Sequence, residues 1–173
     1  MLGEVGYSCV IERGHARVND IMIDFLKTKI VGKFLDIGAN AGWLVSELPN
    51  GVGVDNSGIM LREAHSRGRP VIGGRAEALP FKPNTFDMAV LSCVLEQCVD
   101  WRYVLNEALR VARVVIGFTP YPGESVWGYI GGLGVVKSVV AAGVLCKEFV
   151  CRTERVDGVH THYYFEIKRE GIW

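Results

Sequence analysis

Two short segments carry residue types that could bind an anionic, sugar-containing ligand. The first is Asp36-Ile37-Gly38-Ala39-Asn40-Ala41-Gly42, which follows the apolar run Lys33–Ile37. Glycine at 38 and 42 permits positive φ and close approach of a ligand to the backbone. A helix starting just after this loop would offer unpaired N–H groups to an anionic part of that ligand. A dinucleotide-binding loop would read G-x-G-x-x-G, but Asn40 and Trp43 stand at its second and third glycine places, which argues against NAD or FAD. The second segment, Gly51-Val52-Gly53-Val54-Asp55-Asn56-Ser57, brings Asp55 to a strand tip 17 residues after Gly38. A carboxylate there can accept hydrogen bonds from both hydroxyls of a ribose, at ~1.5–3 kcal/mol for each charge-assisted bond. Its other reading is a cap for the helix that follows.

Candidates for proton transfer or metal binding are weaker. Glu96 could act as a base, and an exposed loop carboxylate is an equal reading. Tyr121 follows an apolar strand in Thr119-Pro120-Tyr121-Pro122. Trp127 and Tyr129 could stack on a substrate or attract a cationic one, or simply pack. His160 and His162 alternate, so on one strand they would share a face. No third ligand lies nearby in sequence, and no metal is expected. Arg62, Arg67, Arg69 and Arg75 could favour an anionic substrate or form a solvated helix face.

The elements that must position these residues alternate in type. Helical spacing over 17–30 places Val18, Ile21, Met22, Phe25 and Leu26 together. Strands are expected at Lys33–Ile37, Val52–Val54, Val71–Ile72, Phe86–Leu91, Val114–Phe118, Phe149–Thr153 and Thr161–Lys168. Helices are expected at Ala41–Leu48, Ser57–Arg67 capped by Ser57, Trp101–Val111 capped by Asp100, and about Val135–Leu145. Asp157-Gly158 signals a hairpin between the last two strands. Such alternation predicts an α/β fold of Rossmann-like type. Its seven-stranded sheet is mostly parallel, with helices on both faces and a closing antiparallel hairpin.

Composition narrows the function. The chain has 173 residues, enough for one domain with a full core. Lysine plus arginine (19) balances aspartate plus glutamate (19), which argues against a protein built to grip nucleic-acid backbone. The five cysteines are odd in number and form no C-x-x-C pair, so reduced, mostly buried thiols in a cytoplasmic protein are expected. The first twenty residues show no basic segment followed by an apolar one, and no secretory signal is expected. Val126–Cys146 is apolar, but Lys137, Ser138 and five glycines interrupt it, so a membrane span is not expected.

Four segments, FLDIGANAG, GVDNSGIML, GGRAEALPF and NTFDMAVLSCVLEQCVD, resemble in order and spacing the class I S-adenosylmethionine-dependent methyltransferases. Within that family they look most like the small-molecule branch with an A-E-A-L-P-F segment. The resemblance runs from about Phe34 to Arg113. It implies that Asp36, Gly38, Ala39, Asn40 and Gly42 cradle the methionine end of S-adenosylmethionine, and that Asp55 holds the ribose. It also implies Asn56 and Met60 beside the adenine, Ala76 meeting the adenine edge through its backbone N–H, and Ser92 under the methionine moiety.

Three departures stand out against the family pattern. Arg75 replaces an acidic residue before Ala76, Glu96-Gln97 replaces a common histidine, and a Pro-Gly-Gly turn is missing after residue 111. One methyltransferase domain over 1–173 follows: a helical segment at 1–31, a cofactor-binding core at 33–118, a lid and helix at 119–146 and a hairpin at 147–173. The expected activity is in-line methyl transfer to a small-molecule acceptor, with S-adenosylhomocysteine as product. A cofactor-binding but inactive partner subunit and an RNA methyltransferase are the alternatives.

Overall fold

The computed structural model describes residues 16–120, 146–147, 153–155, 158–160 and 162–168. The core alternates as the periodicity predicts: β1 (Phe34–Ile37), α2 (Trp43–Glu47), β2 (Gly51–Asp55), α3 (Gly58–Ser66), β3 (Val71–Gly73), β4 (Phe86–Ser92), α4 (Trp101–Val111) and β5 (Ala112–Pro120). Helix α1 (Ala16–Lys29) precedes them, and β6 (Cys146–Lys147), β7 (Thr153–Arg155), β8 (Gly158–His160) and β9 (His162–Lys168) follow.

The main sheet has the order β3-β2-β1-β4-β5-β9-β6. Its first five strands are parallel, and β9 runs antiparallel to β5 and to β6. The chain moves outward from β1 to β3, then returns to the other side of β1 with β4. The carboxyl ends of β1 and β4 therefore flank a topological switch point, where open α/β sheets bind their ligands.

Strand alternation divides the core into two layers. Phe34, Met88, Val90 and Ile116 face Met22, Ile23 and Leu26 of α1, Leu44 and Val45 of α2, and Ala64 of α3. Leu35, Ile37, Ala89, Leu91 and Val115 face the opposite way, onto Val104, Leu105, Ala108 and Val111 of α4. All four residues of β1 are buried, as a central parallel strand requires.

Local chemistry sets the helix boundaries. Ser57 Oγ accepts the Met60 N–H at the start of α3, and Asp100 accepts the Arg102 N–H at the start of α4. Helix α2 starts two residues later than its apolar spacing suggests, because Gly42 at its N-cap is left-handed at φ 73°. Ala112 both caps α4 and opens β5, so no loop stands where the Pro-Gly-Gly turn is missing.

The C-terminal strands depart from expectation. The hairpin signal at Asp157-Gly158 belongs to a small separate sheet, in which β7 pairs with β8 in the register Arg155↔Gly158. Strand β9 instead lies beside β5, where Ile167 packs on the α4 side of the core. The main sheet thus has six strands of three or more residues and a two-residue seventh, Cys146–Lys147. His160 and His162 fall on strands of different sheets, so the single strand that would have aligned them does not form. The helix expected at Val135–Leu145 and the strand start at Phe149 lie outside the described residues.

Cys93 and Cys98 are half-buried rather than fully buried. Among the described residues no helix is long and apolar enough to cross a membrane.

Gly42 is a tight steric constraint next to the first loop. A Cβ there would lie 2.6 Å from Val71 Cγ2 and 3.1 Å from Arg69 Cβ, on a backbone that L side chains rarely adopt. Gly42→Ala should therefore lower unfolding stability by about 1–3 kcal/mol. A urea titration checks it, with the expected result a lower midpoint at an unchanged slope.

Candidate cofactor site

The tips of β1 and β2 are joined by a compact set of hydrogen bonds. Gly38 N–H and Ala39 N–H both donate to Val54 O, at 2.9 and 3.0 Å. Asn40 N–H donates to Asp55 Oδ2 at 2.7 Å, and Ser57 N–H donates to Asp55 Oδ1 at 2.8 Å. One carboxylate thus ties the loop after β1 to the start of α3. Asp55 is buried, yet each of its oxygens spends only one lone pair on the backbone. Capacity remains for two further donors, which is what a vicinal pair of ribose hydroxyls offers. The cap reading of Asp55 holds only indirectly: it orders the approach to α3, while Ser57 makes the N-cap bond itself.

The loop glycines have a reason the sequence did not reveal. A Cβ on Gly38 would come within 2.6 Å of Val94 Cγ2, and Gly42 is pressed against Val71 and Arg69. Arg69 Nη1 also donates to Ala41 O at 2.8 Å. The loop lacks side chains at these points because the protein itself packs there. Asn40 takes the left-handed conformation at φ 49°, and its amide donates back to Gly38 O.

Asp36 lies on β1, just before this loop, and is buried. Among the described residues no donor meets its side chain. Burial, and secondarily the negative charge of Asp55, push its carboxyl up from the ordinary 3.8 to about 8. A buried carboxyl without a partner is costly unless a cationic group satisfies it or it stays protonated. An ammonium group fits this demand, so the chemistry at the tips of β1 and β2 suits a ligand carrying both a sugar and a cationic amine.

The remaining residues expected to touch the cofactor follow β2 and β3 or end β4. Asn56 is exposed beside Asp55, and Met60 is buried on α3. Ala76 is half-buried in the turn after β3. Arg75 extends outward to Glu77, at 3.5 Å, with its side chain 70% exposed. Ser92 ends β4, and its hydroxyl donates to Met22 Sδ at 3.6 Å. Met22 was legible only as an apolar position of α1; that it reaches the tip of β4 is long-range information. Cys93, directly after Ser92, is left-handed at φ 56° and turns the chain sharply away from the sheet. Glu96 belongs to a short 3-10 turn, Leu95–Gln97, and the direction of its side chain is not described. Tyr121 lies outside the described residues. His160 lies in the β7–β8 sheet, apart from the main sheet.

The buried carboxyl of Asp36 links pH to stability. Between its ordinary value of 3.8 and its raised value of about 8 the folded chain holds one more proton than the unfolded chain. This site's contribution therefore falls as pH rises through that window. Asp36→Asn removes the titration, so its stability relative to the native chain should increase from pH 5 to pH 9. Urea midpoints at the two pH values measure it, and a gap that does not change with pH would contradict the assignment.

Comparison with known proteins bears on the sequence and the fold. Residues 35–114 match the family model described as a methyltransferase domain. An uncharacterized protein of Methanocaldococcus jannaschii is 35% identical over 100 residues, covering 55% of this chain and 49% of that protein. A demethylmenaquinone methyltransferase of Paenarthrobacter aurescens is 33% identical over 118 residues, covering 62% of this chain and 46% of that enzyme. The chain thus spans about half the length of these curated relatives. A Thermotoga maritima crystal structure, described as a SAM-dependent methyltransferase and possible histamine N-methyltransferase, superposes with a TM-score of 0.63 at 18% identity. That superposition covers 86% of this chain and 87% of the other, and it shows the fold. Over residues 35–114 the chain thus matches a methyltransferase-domain model, and around them it has the Rossmann-like fold seen in S-adenosylmethionine-dependent methyltransferases.

Proposed function

We propose that the protein transfers the methyl group of S-adenosylmethionine to a small-molecule acceptor. The observation that carries this reading is the pair of buried acids on adjacent strands, Asp55 with unspent acceptor capacity and Asp36 with no donor among the described residues. When bound, the cofactor supplies an activated methyl group on a sulfonium, so the protein needs to contribute orientation and exclusion of water. Asp55 would fix the ribose, Asp36 would receive the amino group, and the N–H of Ala76 would meet the adenine edge. Ser92 and Met22, at the tip of β4, would flank the methionine portion. A general base is needed only if the acceptor must lose a proton. Glu96, Tyr121 and His160 remain the candidates for it.

The choice of a small-molecule acceptor draws on the demethylmenaquinone methyltransferases among the relatives and on the absence of a basic excess in the chain. The odd number of cysteines and the lack of a C-x-x-C pair suit a reducing cytoplasm.

Calorimetric titration with S-adenosylhomocysteine tests the site. Asp55→Ala should weaken binding about a hundredfold, the equivalent of roughly 3 kcal/mol. Native-chain affinity should also strengthen as pH rises from 6 to 8, because placing an ammonium against Asp36 requires the carboxylate form. Incubation with S-adenosylmethionine and a panel of small acceptors should release S-adenosylhomocysteine. Cofactor binding with no turnover on any acceptor would favour the inactive partner subunit instead.

A further inference from the structure

Resting on the cofactor reading above, we propose that Glu107 and Arg110 of α4 are positioning residues for the adenosine pocket. They hold the backbone of residues 74–81, and with it the N–H of Ala76, in a fixed orientation beside the tip of β2.

The two side chains spend their hydrogen bonds on one stretch of main chain. Glu107 Oε2 accepts from Leu79 N–H at 2.7 Å. Arg110 Nη1 donates to Phe81 O at 2.7 Å, and Nη2 donates to Leu79 O at 3.0 Å. Both the N–H and the C=O of Leu79 are therefore taken by this pair. The pair is also joined internally, Arg110 Nε to Glu107 Oε1 at 2.6 Å and Nη2 to Oε2 at 2.8 Å. That contact holds the Glu107 carboxyl below its usual range, so the pair stays ionised at neutral pH. An ordinary ion pair three residues apart on a helix adds only a few tenths of a kcal/mol to the helix. Here the pair spans 28 to 31 residues of sequence to reach a different segment.

The segment it holds has little regular structure of its own. Between β3 and β4 the turn carries an isolated bridge, Arg75↔Ala78. Its near end is fixed where Gly74 N–H donates to the carbonyl of Asp55 at 3.0 Å. Its far end is fixed by Glu107 and Arg110, and Ala76 lies between the two anchors. Leu79 is buried, and Phe81 meets Phe86 edge-on with ring centroids 4.9 Å apart. Those apolar contacts set the depth of the turn but are not directional. Hydrogen bonds are directional, and they set the tilt of its peptide planes.

Tilt matters more in this chain because of Arg75. Its guanidinium turns to Glu77 and offers no acceptor to an adenine amino group. Recognition of the base then falls on backbone groups of this turn, whose direction the pair on α4 controls.

The experiment compares the native chain with Glu107→Ala, Glu107→Gln, Arg110→Ala and Arg110→Lys. It reads calorimetric affinities for S-adenosylhomocysteine and for S-inosylhomocysteine, whose base is hypoxanthine, together with amide hydrogen exchange in the free protein. Glu107→Ala and Arg110→Ala should weaken S-adenosylhomocysteine binding by roughly tenfold and reduce the preference for adenine over hypoxanthine by a similar factor. Glu107→Gln keeps an acceptor for Leu79 N–H and should recover most of that preference. The amides of Ala78 and Leu79 should exchange faster, while those of Asn40 and Ser57, held by Asp55, should not.

Variants that melt earlier yet keep the native affinity, base preference and exchange would overturn the proposal and leave the cofactor reading intact. If the alanine variants do not fold, Glu107→Gln and Arg110→Lys give the same readouts. Failure of the native chain to bind S-adenosylhomocysteine would overturn the cofactor reading, and the exchange measurements would still decide whether the pair orders the turn.

Discussion

The Asp55 carboxylate answers two backbone donors from two different elements, Asn40 N–H of the loop after β1 and Ser57 N–H ahead of α3. Neither donor has a strand or helix partner of its own at that point. A buried N–H left without an acceptor costs about 1–3 kcal/mol, so a single side chain settles the position of both segments. Without it the loop would keep its bonds to the Val54 carbonyl but lose its tie to the start of α3. Because the carboxylate is already oriented by the protein, a ligand that uses its remaining lone pairs finds them in place and loses little freedom in organising them.

Asp36 shows the opposite arrangement. It stands close enough to feel the charge of Asp55, lies in the most buried strand of the sheet, and receives nothing in return from the described residues. Natural cores rarely tolerate such a group unless function requires it. Phe34, Leu35 and Ile37 on the same strand are fully buried. One strand therefore supplies both the anchor of the sheet and an unsatisfied acid at its end.

Much of this was legible in the amino-acid sequence, because it depends on local spacing. The alternation of short apolar runs with helical stretches, the Ser57 and Asp100 caps, and the placement of Asp36 and Asp55 at strand tips all follow from neighbours in the chain. What was not legible depends on contacts between distant segments. Nothing near residue 157 says that β7 and β8 form a separate sheet while β9 pairs with β5, since strand pairing is decided by the partner surface. The meeting of Met22 with Ser92 spans 70 residues. The positive φ at Gly38 and Gly42 was expected, but their second reason was hidden for the same cause: the atoms that exclude a side chain belong to Val94, Val71 and Arg69, far along the sequence.

Val71 has a consequence of its own. It stands on β3, the outermost parallel strand, yet a Cβ on either Gly42 or Gly53 would run into it. Its girth therefore acts as a spacer gauge between the rim of the sheet and its centre. A bulkier residue at 71 would push on the first loop and the second strand together, and a slimmer one would let both sag outward. Descendants of this chain could exchange the three residues only in concert, with volume added at one position removed at another.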